Sequence, residues 1–225
     1  MFERLPRLAQ ILRKFLAEFL GTAFLVCVVV GSGIMGTNLS RDVGVALIIN
    51  ALSTIMALAL LILVLGPISG AHLNPAVTFV QILRRSLPAG EAAAFVVAQI
   101  TGAIAGALLA NLMFDLPLVQ ISTHERVSPG LLVGEVVATA GLIAVIGILS
   151  ARNQERLIPA AVAAWIGSAY FFTSSTSFAN PAVSIGRIFS DTFAGIAPTS
   201  VLPFIAAQLV GALVGMAAVR GVARA

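Results

Sequence analysis

Two asparagines, each followed by Pro-Ala, carry the most distinctive chemistry in the chain. The first lies in Ser69-Gly70-Ala71-His72-Leu73-Asn74-Pro75-Ala76-Val77 and the second in Ala179-Asn180-Pro181-Ala182-Val183. Asn at a cap with Pro at the first helical position is a strong helix start. The amide oxygen accepts from orphan N–H groups, and proline's missing N–H costs nothing there. A single copy reads as an ordinary capped helix, but two copies that each interrupt an apolar run point to a shared task. Glu18 and Glu135 add two acids inside apolar runs. An ionisable group there is a functional candidate, and a proton relay is one reading. The other is that each carboxylate accepts from irregular backbone that hydrocarbon would leave unpaired, and this scaffold role is preferred.

The elements that must position these groups are membrane spans. The 225 residues are 59% hydrophobic and 10% charged, with a mean hydropathy of +1.06, so there is too little polar surface to cover a globule in water. Apolar runs fall near 12–34, 43–65, 91–113, 130–150, 157–175 and 200–222. Six spans of about 20 residues nearly exhaust the length, leaving one membrane domain over 1–225 and no separate soluble domain. Two shorter runs, 75–85 and 181–190, cannot span and follow Gly-, Ser- or Thr-rich stretches. They read as half-helices entered from irregular backbone that lines a cavity. The basic start MFERLPRLAQILRK leads into a retained first helix and not a signal peptide.

A lone Cys27 excludes an intrachain disulfide and a cysteine metal site, and reads as a small packing residue. No metal or cofactor is expected. The net charge of +4 does not argue for a nucleic-acid partner, because in a membrane chain the placement of Lys and Arg matters more than their sum. With a cytoplasmic N-terminus, Arg4, Arg7, Arg13, Lys14, Arg84, Arg85, Arg152, Arg156, Arg220 and Arg224 lie inside, and Arg41, Arg126 and Arg187 outside. That bias places both termini in the cytoplasm.

The halves repeat. Glu18-Phe19-Leu20-Gly21-Thr22-Ala23 echoes Glu135-Val136-Val137-Ala138-Thr139-Ala140, and Ala98-Gln99-Ile100-Thr101-Gly102 echoes Ala207-Gln208-Leu209-Val210-Gly211. Equivalent points are three spans apart, an odd number, so repeats near 1–113 and 130–225 are inverted, joined by a polar outer link over 114–129 that includes a solvated His124. Inversion brings both half-helix N-termini, the positive dipole ends, to one place near the midplane. Gly102 with Gly106 and Gly211 with Gly215 give the small-xxx-small spacing of closely crossing helices.

The paired Asn-Pro-Ala boxes, the SGAHLNPAVTF run, the glutamate of each leading span and the repeat together resemble the aquaporin and aquaglyceroporin superfamily over essentially the whole chain. The resemblance implies an all-α membrane protein of six transmembrane helices plus two half-helices around one narrow pore. It also implies a homotetramer in a lipid bilayer, here a bacterial inner membrane. Water and small neutral solutes would be its only other partners. Asn74 and Asn180 would offer amide N–H donors to a passing solute, replacing part of its hydration shell. The facing dipoles would oppose cations and protons. Carbonyls of Gly70, Ala71, His72, Thr176, Ser177 and Phe178 would form an acceptor track opposite an apolar wall. His72 is as suited to a structural role as to touching the permeant.

Selectivity departs from the family pattern. Members usually carry Arg directly after the second box as part of an outer constriction, and here that residue is Val183. By family spacing the other constriction positions are Thr54, Ser168 and Ser177, a set with no aromatic, His or charge. Such an aperture is expected to be wide and rich in hydroxyls, admitting glycerol-like polyols and uncharged metalloid acids such as arsenite. The run from Val183 to Ile196 also resembles a bacterial branch associated with arsenic-resistance genes, which implies inorganic or methylated arsenicals. Arg187 could substitute for the missing cation, but it lies about one turn along the axis from Val183, and it is expected instead to pair with Asp191 one helical turn on. Alternatives are a mainly water-conducting channel, and an ion-coupled transporter using Glu18 and Glu135. A membrane enzyme lacks a site, since no Ser-His-Asp cluster, metal-spaced His and Cys set or phosphate loop is evident.

Overall fold

A computed structural model describes residues 7–222, among which the only regular elements are helices. Arg4 and Arg224, used above for orientation, lie outside the described residues. In chain order the helices are α1 (Arg7–Leu39), α2 (Val43–Ser69), α3 (Pro75–Leu83), α4 (Ala89–Met113), α5 (Pro129–Ala151), α6 (Ile158–Phe172), α7 (Pro181–Gly186) and α8 (Pro198–Val222). Single 3-10 turns precede α6 (Glu155–Leu157) and follow α7 (Arg187–Phe189).

Their ends follow from local chemistry. Asp42 caps α2 by accepting from the N–H groups of Gly44 and Val45, and Gly70 ends it in the left-handed region at φ 89°. Ser128 caps α5 with Pro129 next in line. Five helices, α1, α2, α4, α5 and α8, are long and apolar enough to cross a membrane. The sixth expected span is shorter than its apolar run: α6 has 15 residues, because Thr173 turns extended at φ −95°, ψ 143°. Its hydroxyl donates back to the Ala169 carbonyl at 2.7 Å, and the chain re-enters the interior. The protein is an all-helical, multi-pass membrane protein.

Two helix pairs cross closely by the same device. A Cβ at Gly102 or Gly106 of α4 would collide with the carbonyls of Phe19 or Ala23 in α1. At Gly211 or Gly215 of α8 it would collide with those of Val136 or Ala140 in α5. Small residues let backbones approach where lipid offers no hydrophobic drive and packing must hold helices together.

Each half-helix is set into the other half of the chain. Ala182 and Val183 of α7 pack in an apolar cluster with Val26 and Val30 of α1 and Ala103 and Ala107 of α4. Ala76 and Val77 of α3 pack with Leu142 and Ile143 of α5 and Val162 of α6.

Candidate pore

Asn74 and Asn180 have nearly identical backbones, φ −158° with ψ 118° and φ −156° with ψ 112°. Each side-chain oxygen caps its own half-helix: Asn74 Oδ1 accepts from Ala76 N at 2.8 Å, and Asn180 Oδ1 from Ala182 N at 3.0 Å and Val183 N at 3.3 Å. Each amide nitrogen reaches across to the other half. Asn74 Nδ2 donates to the Ala179 carbonyl at 2.7 Å, and Asn180 Nδ2 to the Leu73 carbonyl at 2.8 Å. These crossed bonds join the two half-helix tips. One N–H of each amide is thereby used, and the second remains to face the cavity that both residues line.

The loops ahead of the caps are backbone turned inside out. Ala71, Leu73, Thr176, Ser177 and Ala179 all have φ between 45° and 60°. L-residues resist this region by roughly 1–2 kcal/mol each, so something must hold them. The two fully buried glutamates do so. Glu18 Oε1 accepts from His72 N at 2.9 Å and Ser69 Oγ at 2.6 Å, and its Oε2 from Leu73 N and Gln99 Nε2, both at 2.7 Å. Glu135 accepts from Phe178 N and Ala179 N, both at 2.9 Å, and from Gln208 Nε2 at 2.6 Å. The glutamines were visible in the sequence repeat, but nothing in it assigned them this contact. His72 joins the network through Nδ1, 3.0 Å from Thr78 Oγ1, and also lines the cavity.

The cavity has a volume of about 240 Å³. On α6 its wall recurs every fourth residue, Ile158, Val162, Ile166 and Tyr170, so it runs the length of that helix. Leu25, Leu58 and Leu142 continue the apolar side. Of the residues expected to supply an acceptor track, Gly70, Ala71, His72, Ser177 and Phe178 line the cavity, as do Leu73 and Ala179. Thr176 does not line it; its N–H donates to the Thr173 carbonyl at 3.4 Å.

The expected outer aperture is corrected at Ser168. Thr54, Ser177 and Val183 line the cavity, but Ser168 does not. Two residues from Ile166 is about 200° around a helix, so Ser168 is exposed on the far side, with its hydroxyl bonded to the Ala164 carbonyl at 2.9 Å. Its place is taken by Tyr170, whose hydroxyl donates to Thr54 Oγ1 at 3.2 Å. The every-fourth-residue apolar pattern of α6 was the signal that could have found it.

The expected Arg187–Asp191 pair also fails. The helix stops at Gly186, a 3-10 turn follows and Ser190 is extended, so the i to i+4 geometry is lost. Asp191 Oδ1 instead accepts from Thr123 N at 2.8 Å, with His124 Nε2 4.0 Å away. Arg187 turns inward, 5% exposed, and lines the cavity with its guanidinium 3.4 Å from the centre of the Phe178 ring. The aperture therefore has both an aromatic ring and a cation.

Two half-helix tips joined by crossed Asn-Pro-Ala caps beside an elongated, one-sided polar cavity define a membrane channel. Residues 6–179 match the family model described as major intrinsic protein. The chain belongs to the major intrinsic protein family and is a channel, not an enzyme. It is 46% identical over 208 residues to aquaglyceroporin AqpS of Rhizobium meliloti (strain 1021), covering 92% of this chain and 89% of that one. It is 32% identical to aquaporin C of Dictyostelium discoideum, covering 83% and 73%. Among solved structures, the aquaglyceroporin from Plasmodium falciparum superposes with a TM-score of 0.75 at 21% identity, over 93% of this chain and 96% of that one, a likeness of fold.

Proposed function

We infer that the chain conducts small uncharged solutes passively: water, glycerol-like polyols, and trihydroxy metalloid acids such as arsenite, to which methylated arsenicals are a chemical extension. The carrying observation is the crossed pair Asn74 and Asn180 on one wall of a 240 Å³ cavity whose other wall is apolar. A solute in such a passage exchanges water for amide donors and backbone carbonyls on one side and loses nothing on the other. Similarity to a protein named an aquaglyceroporin supports the polyol assignment. A mainly water-conducting channel is the second reading, favoured by Tyr170 and Arg187, which bring bulk to an aperture otherwise made of Thr54, Ser177 and Val183.

Both carboxylates of the transporter alternative have each oxygen occupied by buried backbone or amide donors, which supports scaffolding over proton relay. Homotetramer assembly, cytoplasmic termini and a bacterial inner membrane belong to the same reading. An uncovered apolar face on α2, including Leu52, Met56, Leu60 and Leu63, gives lipid or a second copy a surface to pack on. Stopped-flow swelling of proteoliposomes in water, glycerol, urea and arsenite tests the function. Flux of at least one solute above empty vesicles and unaffected by a protonophore is expected. Saturable flux abolished by the protonophore would replace the channel with a coupled transporter.

A further inference from the structure

The geometry points to Arg187 as the residue that sets charge selectivity in this pore, supplying from one turn beyond the second box the cation that position 183 lacks. The inference rests on the channel reading. Val183 and Arg187 are four residues apart across the end of α7, so they share a face about 6 Å apart along the axis, and both line the cavity.

Arg187 is buried without a carboxylate. Among the described residues the one Lys or Arg paired with a carboxylate is Lys14, with Glu91, and His124 Nε2 lies 4.0 Å from Asp191 Oδ1. A buried unpaired cation in a membrane protein is costly and persists where it faces a polar passage. Of its five N–H groups only Nε has a protein acceptor among the described residues, the Ala194 carbonyl. The terminal nitrogens are left for the lumen.

The side chain is held in place from two directions. Its guanidinium stacks on Phe178, a residue whose own N–H is fixed by Glu135. Arg126, from the outer link, lies 5.3 Å from the same ring centre and donates to the carbonyls of Phe193 at 3.1 Å and Gly195 at 2.7 Å. It thereby fixes the loop whose Ala194 carbonyl holds Arg187. Ser177, the residue before Phe178, lines the same stretch of wall.

Wild type, Arg187→Leu, Arg187→Lys and the relocation variant Val183→Arg/Arg187→Leu are reconstituted, and neutral-solute swelling and potassium and proton conductance are measured on each. A unit charge within about 10 Å of the ion path at an effective dielectric of about 20 should change cation passage by roughly tenfold or more. Arg187→Leu takes bulk from the aperture, so its neutral flux is expected to change in rate without being lost and its cation passage to gain that leak; Arg187→Lys is expected to stay tight, and relocation to close the leak again. Folded Arg187→Leu with neutral flux and no cation leak would overturn the proposal. So would a leak that neither Lys nor relocation suppresses, since that is what a packing role alone produces. If Arg187→Leu does not fold, a potassium current through wild type itself overturns it, and a tight wild type with a tight Lys variant upholds it. Absence of all neutral flux in wild type would instead remove the channel reading beneath it.

Discussion

Glu135 illustrates how a single acid can define a loop. Its two oxygens satisfy two backbone N–H groups in a segment with three residues in the left-handed region, plus the Gln208 amide. Truncation to Ala orphans the two backbone N–H groups, each at about 1–3 kcal/mol, while Gln208 Nε2 keeps Ser184 Oγ as an acceptor. Glu135→Ala is expected to lose roughly 2–6 kcal/mol and unfold at visibly lower temperature, with Glu135→Gln between it and wild type. A wild-type melting curve for the Ala variant would show that the carboxylate does not hold the loop. Asp191, on the outer loop, gives a pH effect. The Thr123 backbone N–H holds its carboxyl below the usual carboxylate range. A depressed folded value means its stabilising contribution is present above the unfolded value of about 3.9 and lost as pH falls through the folded one. Asp191→Asn is expected to flatten that acid limb while leaving the melting temperature at pH 7 slightly lower. An unchanged acid limb would assign it to other carboxylates. Residue roles set by local chemistry were legible in the sequence: Asn-Pro caps a helix whatever surrounds it. Arg187 was not, because its direction depends on where α7 stops.

At the scale of elements, the small residues that let α4 cross α1 and α8 cross α5 were readable, since spacing alone puts Gly102 and Gly106 on one face. Gly106→Ala places a methyl against the Ala23 carbonyl and the Cys27 backbone, none of which can rotate away. It is expected to cost about 1–3 kcal/mol or more by overpacking, whereas Gly66→Ala in α2, with open space around it, gains up to about 1 kcal/mol of helix propensity. Equal melting temperatures for the two variants would deny the close crossing. The α6 register was misjudged for an element-level reason. Counting back twelve residues from Asn180 assumes a fixed loop length, while the helix's own four-residue repeat places Tyr170 and not Ser168 on the lumen. The inward packing of each half-helix against the other half also escaped the sequence, because short apolar segments do not say which neighbours they meet.

For the whole molecule, α6 decides the topology. Its 15 residues span about 22 Å, and the 3-10 turn Glu155–Leu157 adds about 6 Å, close to the roughly 30 Å of a hydrocarbon core. It needs no more length at its far end, where Thr173–Ala179 folds back inside and Glu135 satisfies the Phe178 and Ala179 N–H groups that burial would otherwise leave unpaired. The crossings are then α1, α2, α4, α5, α6 and α8, an even number, with Arg152 and Arg156 at the start of α6 on the face that also receives the basic ends of α3 and α8. Reporter fusions at the two termini are expected to lie on the same side, and one placed in the link near 123 on the other. If only the five long helices crossed, the termini would fall on opposite faces, and α7 could not enter from the leaflet opposite α3. Opposite reporter signals would therefore undo the meeting of the two Asn-Pro-Ala tips as well as the span count.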